Sequence, residues 1–506
     1  MKSIWLFARK LMILNFLISP LCLSATVYEA GIGKDYTLIP DAIAAAKDGD
    51  TIAVFGTITA NGQVVNGIVV NKSLTFIGQG PDSAIIEAAA LPPPAANRRV
   101  LSILAGVQVI IKDITIRYGN TELNGGAIEN LGDLSLINCR IVDNTAMLGG
   151  GIRNNMNAVL YIENCLISNN YASLRGGGIN HLGSNLSINN TCIESNSARE
   201  QGGGIQIENA SSYITNTLIS DNQLFPDTIS SNGAGIFIGN STGANASILI
   251  NVTISGNTGT PQYSCGGGVG MMSNAGTSTL SMINCTIADN YVSCGQGIQT
   301  YTYNSGTQNI IKLTNCIISN GLSDNYFAFQ SGGSNKVIRN YTLLRDATIS
   351  ADGSGNTNLV DPQIEALADN GGPTYTHALK SGSPAIDAGT STGTLPGDQR
   401  GASRTGKVDI GAFEYGGVIS ITDLTATSVQ IYPNPVSHSL FINNNSNELL
   451  HITLMDINAR TIHSEETNLP LYVLDMSALP EGMYMLLIQS TQHSMSAKVL
   501  KCNSYL

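Results

Sequence analysis

Seven segments of this chain, starting at Leu134, Leu160, Leu186, Ser212, Ile248, Leu280 and Ile311, carry the same residue types at the same offsets. One column reads Asn138, Asn164, Asn190, Asn216, Asn251, Asn284, Asn315, with successive spacings of 26, 26, 26, 35, 33 and 31 residues. A second reads Ile141, Ile167, Ile193, Ile219, Ile254, Ile287, Ile318, and a third Asn144, Asn170, Asn196, Asn222, Asn257, Asn290. Fainter turns flank them, with Asp113 before and Asn340 after in the first column. Each repeat also holds a glycine cluster followed by an aliphatic residue, from Gly125-Gly126-Ala127-Ile128 to Gly295-Gln296-Gly297-Ile298. A period of this size means a stacked array, in which each unit buries its apolar face on its neighbours.

Within a repeat, short stretches such as Leu134 and Leu136 alternate with polar residues, the period of a strand. Gly and Asn between them accept positive φ. Stacked in register, like residues lie about 4.8 Å apart. Isoleucines then fill a continuous core, and asparagines can bond along a column as amide ladders do. We assign that ladder to the first column, Asn138 to Asn315. A leucine-rich repeat would need regular Leu spacing and a shorter period, and a propeller blade four strands and a longer one. A calcium-binding nonapeptide roll lacks its Asp after the glycines. The reading is all-β: a single-stranded right-handed parallel β-helix, a solenoid of about a dozen coils of roughly 25–35 residues, plus a small C-terminal β-sandwich. Composition agrees, since 506 residues exceed one ordinary domain, and 42% hydrophobic with only 12% charged residues suits a core. A net charge of −11 without Lys/Arg runs argues against nucleic acid and anionic membranes as partners.

The start reads as a secretory signal over residues 1–25. Lys2, Arg9 and Lys10 precede an apolar run, Leu11 to Leu23, that ends at Ser24-Ala25. The run is shorter than the roughly 20 residues of a spanning helix, and no later stretch predicts one. Cys22 follows Leu21, where a lipid-anchor motif needs a small residue, so it belongs to the discarded signal. Tyr36 to Ala46 predicts a short helix with Pro40 near its start, placed to cap the open end of the core. The expected layout is 26–100 for cap and first coils, 101–358 for the repeats, 359–417 for a β-rich closing segment and 418–506 for the last domain.

Several phrases resemble known families. DAIAAAKDGDTIAVF and KSLTFIGQG, within Gly33 to Gly80, look like the opening of pectin-lyase-like β-helix proteins. The repeats are similar to those of polymorphic outer-membrane proteins, with Ile where Phe is usual. Asp361-Pro362, Asp369 to Thr374, Gly382 to Gly389, Asp398 to Gly401 and Val408 to Tyr415 resemble the closing segment of choice-of-anchor surface proteins. The end resembles the type A sorting domain of the type IX secretion system of the Bacteroidetes, through Tyr432, Pro433, Asn434, Pro435, Gly482, Tyr484 and Lys498. That resemblance implies export across the outer membrane by the type IX machinery, removal of the domain and often attachment to surface lipopolysaccharide.

Chemistry on this scaffold is sparse. Asp143, Asp221 and Asp289 share a column, but the nearest two fall about 10 Å apart at about 4.8 Å per coil. Oxygens around calcium lie within about 2.6 Å, and paired glycosidase acids within about 9.5 Å, so a solvated turn is the reading. Glu163 and Glu194 read as isolated strand residues. His181 and His377 lack ligand spacing and read as structural, as do His438, His451, His463 and His493. The glycine clusters cradle no phosphate, because no Lys-Ser/Thr follows. No catalytic, cofactor or metal residues are assigned.

The column just after each glycine turn predicts an outward face. Arg153, Gln206, Phe237 and Gln299, with Tyr301 and Tyr303 beyond, read first as an ordinary polar sheet face with two half-buried tyrosines, and second as a mix of polar groups and aromatic faces that suits carbohydrate. Of nine cysteines, eight remain once Cys22 is set aside. Cys139/Cys165 and Cys285/Cys316 share positions on neighbouring coils and read equally as buried thiols or bridges. Cys265 and Cys294 precede glycine turns on neighbouring coils and are the bridge we expect. Two functions are carried forward. The first is a non-enzymatic adhesin, glycan-binding or structural surface protein that meets extracellular glycan or a host or matrix surface. The alternative is a polysaccharide lyase or glycoside hydrolase of pectin-lyase-like fold.

Overall fold

The computed structural model describes residues 26–60, 66–88, 98–225, 231–260, 264–320, 325–345, 353–419, 429–432, 436, 439–444, 449–455, 461–469, 471–480, 482–489 and 494–501. The signal segment with Cys22, Pro433, Asn434, Pro435, His438, His493 and the side chains of Tyr432 and Lys498 lie outside them. One compact unit spans Ala25–Ile419, and another contains Ser420–Leu506.

Three long parallel sheets run along the first unit, and a shorter parallel sheet of five strands, from Thr145–Leu148 to Thr258–Gly259, lies beside them together with the parallel pair Ser231–Asn232 and Ser264–Cys265. Among the described residues sheet A has 12 strands, from Val27–Ala30 to Ser334–Asn340, and sheet B has 12, from Gly56–Thr59 to Thr357–Asn358. Sheet C has 10, from Ile68–Val70 to Tyr326–Gln330. The register stacks like on like: Leu134 beside Leu160 and Leu186 in sheet A, Ile141 beside Ile167 and Ile193 in sheet B. In sheet C, Ile128, Ile152, Ile179 and Ile205 form such a row. These side chains point inward and form one continuous core, so each coil is stabilised through its neighbours.

Each coil turns three left-handed corners, and these explain most of the repeat. The first Asn column, Asn138 to Asn315, joins sheet A to sheet B with φ between 48° and 55°. The second corner holds Asp143, Asn169, Ser195, Asp221, Gly256 and Asp289, at φ 54–68°. The Asp column is thus a backbone requirement that Asn, Asp and Gly meet at least cost. At the third corner Gly149 has φ 66°, and a Cβ there would lie 2.3 Å from the Ile152 carbonyl oxygen.

The amide ladder runs through the other Asn column. Asn144, Asn170, Asn196, Asn222, Asn257 and Asn290 are all buried. Each Nδ2 donates to the Oδ1 of the next coil at 2.8–3.1 Å, the last to Asn320, which donates in turn to Asn325. Each Nδ2 also donates to a carbonyl of the preceding coil, such as Ile116 for Asn144 and Ile167 for Asn196. The first column does not form the expected continuous ladder: its left-handed backbone turns the side chains out of the coil, and bonds such as Asn251 to Asn216 are scattered.

The helix Ile39–Ala45 carries Pro40 in its first turn and buries Ile39, Ala42 and Ile43. Lys72 Nζ donates to the carbonyls of Ile43, Ala44 and Ala46, satisfying its C-terminal end with a cation.

The closing segment is not β-rich. Among its described residues only Ile364–Ala368 and Thr376–Leu379 pair as strands, antiparallel. Otherwise it is an irregular strap on the outer face of sheet B, where Ile410, Phe413 and Leu379 pack with Ile317 and Leu343. Its backbone cannot bond a sheet, so buried carboxylates satisfy it. Asp398 accepts from the backbone N–H groups of Arg400, Ala402 and Glu414 and from the Arg400 guanidinium. Glu414 pairs with Arg404, and Asp409 accepts from the N–H groups of residues 387 and 415.

The second unit has two antiparallel sheets, of three and four strands, between Val429–Tyr432 and Ser494–Lys501. Leu440, Ile442 and Leu474 of one share a core with Ile452, Leu486 and Val499 of the other. Gly482 opens the strand Gly482–Gln489, and Tyr484 is buried with its hydroxyl donating to the Pro480 carbonyl.

Candidate functional site

The expected ligand face on sheet C is largely covered. Gln206, Phe237 and Gln299 are 2%, 0% and 3% exposed. Arg153 is half-buried and its guanidinium donates to Asn180. Alternation correctly turns this column out of the core. The glycine corner then folds the preceding segment back over it: a Cβ at Gly295 would lie 2.9 Å from Gln299 Cβ, and one at Gly176 2.7 Å from Asn180 Cβ. Solvent and ligand are excluded by the chain's own backbone.

Two residues further along each strand the cover ends. There Glu208, Gly239, Met272, Tyr301 and Phe329 stack in register. At the last coil this column becomes an aromatic platform. Tyr301 and Phe329 stack with ring centroids 4.4 Å apart at 17°, and Tyr303 lies 4.2 Å from Tyr301. Tyr303, Phe327 and Phe329 are 46%, 38% and 41% exposed. Asn335 Nδ2 is bonded to the Phe329 carbonyl at 3.1 Å, and Gln330 stands exposed beside it. Burial, and then Tyr303, push the Tyr301 hydroxyl up, so it remains a donor. Phe327 and Phe329 escaped the sequence reading because their coil lacks the glycine cluster and its corner is held by Tyr341, at φ 49°, with Asn340 one place before it and not in the Asn column as expected. The one signal was that Tyr326-Phe327-Ala328-Phe329 repeats the place of Ile298 to Tyr301.

Other groups singled out in the sequence have partners or cover within the array and the strap. Cys265 and Cys294 are joined as a disulfide with Cα atoms 4.7 Å apart. Cys139, Cys165, Cys285 and Cys316 are buried thiols. Burial pushes the carboxyls of Asp143 and Asp221 up, and burial followed by Asp221 does so for Glu194. Glu163 accepts the Tyr161 hydroxyl at 2.7 Å. His377 fixes the strap, its Nδ1 donating to the Glu365 carbonyl and its Nε2 accepting from Ser255.

His181 lies fully buried in an inward row between Asn154 and Ile207. Asn154 Nδ2 donates to its Nδ1 at 3.0 Å, so the proton is on Nε2, which has no partner among the described residues. Burial, then Arg153, lowers its pKa to about 3. The unfolded chain takes up this proton near pH 6.5 and the folded chain does not. Its contribution is therefore full above pH 6.5 and is lost as pH falls toward 3. Acid should cost several kcal/mol over that window, at about 1.4 kcal/mol per pH unit. His181→Ile, continuing the row of Ile207, is expected to flatten the pH dependence of the urea midpoint between pH 3 and 6. An unchanged slope would assign the acid sensitivity elsewhere.

No helix among the described residues is long and apolar enough to cross a membrane. Residues 430–501 match the family described as the secretion system C-terminal sorting domain. The match spans the described strands of the two-sheet unit almost end to end. No curated protein matches the chain. The chain is an exported parallel β-helix protein whose C-terminal type IX secretion sorting domain directs it across the outer membrane to the cell surface or the extracellular space.

Proposed function

We propose that this exported β-helix is a non-enzymatic, glycan-binding surface protein, and that its ligand seats on the platform of Tyr301, Tyr303, Phe327 and Phe329. The observation behind this reading is the stacked, solvent-facing Tyr301–Phe329 pair at the end of sheet C. Sugar rings present an apolar face to such surfaces and hydroxyls to neighbouring amides, here Gln330 and Asn304. Removal of the sorting domain and attachment of the remainder to surface lipopolysaccharide fit the same reading. An extracellular glycan, or a host or matrix surface that carries one, would be the partner.

A glycan array probed with the purified secreted protein tests it. Tyr303→Ala with Phe329→Ala should weaken binding at least tenfold, since each aromatic contact contributes about 0.5–1.5 kcal/mol beyond its buried area. Both rings are exposed, so thermal unfolding should be unchanged. Bound oligosaccharides should keep their mass over time. Shortened or unsaturated sugars would instead establish the lyase or hydrolase alternative.

A further inference from the structure

The first Asn column changes from exposed to buried along the axis. Asn138 and Asn164 are exposed, Asn190 and Asn216 half-buried, and Asn251, Asn284 and Asn315 buried. The strap makes the difference, and the column is its seat. Asn315 forms a two-point bond with the backbone of residue 390: Nδ2 donates to the carbonyl at 2.6 Å, and Oδ1 accepts the N–H at 2.9 Å. Asn251 Nδ2 donates to the Gly397 carbonyl at 2.9 Å. Asn284 Nδ2 donates to the carbonyls of Asp409 and Gly411 at 3.2 and 3.4 Å. Between residues 390 and 397 the strap therefore runs back along the axis, from the Asn315 coil to the Asn251 coil.

Beyond the strap the same face continues uncovered for three coils. It forms a cleft of about 640 Å3 between Pro81 and Pro373, the latter belonging to the strap itself. That volume is in the range of ligand sites. Asn138, Asn164 and Asn190 line it, with Leu166 and Cys192 beside them. Asn138 donates to Asp113. Arg140, the one charged lining residue among those described, is ion-paired with Asp82. Burial pushes the Cys192 thiol up to about 12, so it offers apolar surface rather than a nucleophile.

We propose that this cleft binds an uncharged, small-residue polypeptide segment of a partner chain, held by the amide-to-backbone bonds that hold the strap. The open face is continuous with the strap's seat and repeats its chemistry coil by coil. Three coils span about 14 Å, and the strap crosses from the Asn315 coil to the Asn251 coil with residues 390–397, which include a turn at 392–393, so a segment of similar length fits. The proposal does not rest on the aromatic platform.

The probe is an acetylated and amidated peptide of residues 388–397, the piece of strap that reaches Asn315 and Asn251, titrated calorimetrically into the whole secreted protein. The expected result is saturable binding, weakened at least tenfold by Asn164→Gly with Asn190→Gly. Glycine removes both amides yet keeps the corners, whose φ values are 53° and 48°. Leu166→Trp, which fills the cleft from a half-buried position, should block binding independently of any effect of glycine on folding. Absence of saturation, or binding that survives both variants, would overturn the proposal. So would tighter, equally variant-sensitive binding of an N-acetylglucosamine trimer, which would make the cleft an acetamido-sugar site.

Discussion

Asn196→Leu is expected to destabilise the middle of the array by about 3–5 kcal/mol, given a cost of about 1–3 kcal/mol for each buried polar group left unpaired. The carboxamide is fully used. Its Oδ1 accepts both the backbone N–H and Nδ2 of Asn170, and its Nδ2 donates to the Ile167 carbonyl and to Asn222 Oδ1. Leucine has nearly the same volume, so cavity formation is a minor part of the effect. The buried Asn170 N–H is left without its acceptor and the Ile167 carbonyl loses a donor, while Asn170 Nδ2 keeps the Ile141 carbonyl and Asn222 Oδ1 keeps the backbone N–H of residue 196. Because coils are coupled to their neighbours, the damage should concentrate around the strands Leu166–Ser168, Cys192–Glu194 and Leu218–Ser220. Hydrogen exchange, read strand by strand, is the measurement. Protection of these strands equal to the parent's would mean that the ladder is ornamental. Asn164→Gly, at an exposed corner, should leave exchange nearly unchanged.

Asp398→Ala is expected to release the strap while leaving the coils intact. Five donors converge on this carboxylate, and Arg400, whose guanidinium also stacks on Phe413 at 3.6 Å, is buried with it. Breaking one side of such a buried pair costs about 3–5 kcal/mol. Arg400 and Arg404, buried in the closed strap, would become accessible to trypsin. Cleavage after these two residues should accelerate at least tenfold, with the array remaining resistant. Equal digestion rates would show that the strap is held by its apolar contacts, Ile410 and Phe413 against Ile317, instead.

Period alone sufficed for the array, because every inward Ile and Leu has a like neighbour one repeat away. It could not tell which Asn column forms the ladder. Both columns are equally regular in sequence, and only the left-handed φ at Asn138, against the inward side chain at Asn144, separates them. The ligand face failed for a related reason. Alternation tells inside from outside but not whether the outside is covered, and the glycine corner that covers Gln299 is visible only in three dimensions. Tyr301 and Tyr303 remain at the surface because they lie past its reach. The strap's phrases read as a family signature, while their physical content, carboxylates replacing a sheet's hydrogen bonds, depends on contacts that join residues about 150 positions apart, such as Arg404 to Asn251.

That long reach fixes an order of events. The strap's seat is assembled from three successive coils, and its row of carboxamides is not in place until those coils have stacked. Closure can therefore only be the last act in building the β-helix, and it takes place immediately before the segment that carries the export address. A chain whose coils are misaligned by even one rung would offer the strap no matching row of amides and would keep Arg400 and Arg404 open to proteases. The seam at Asn251, Asn284 and Asn315 thus closes only over coils that have stacked in register.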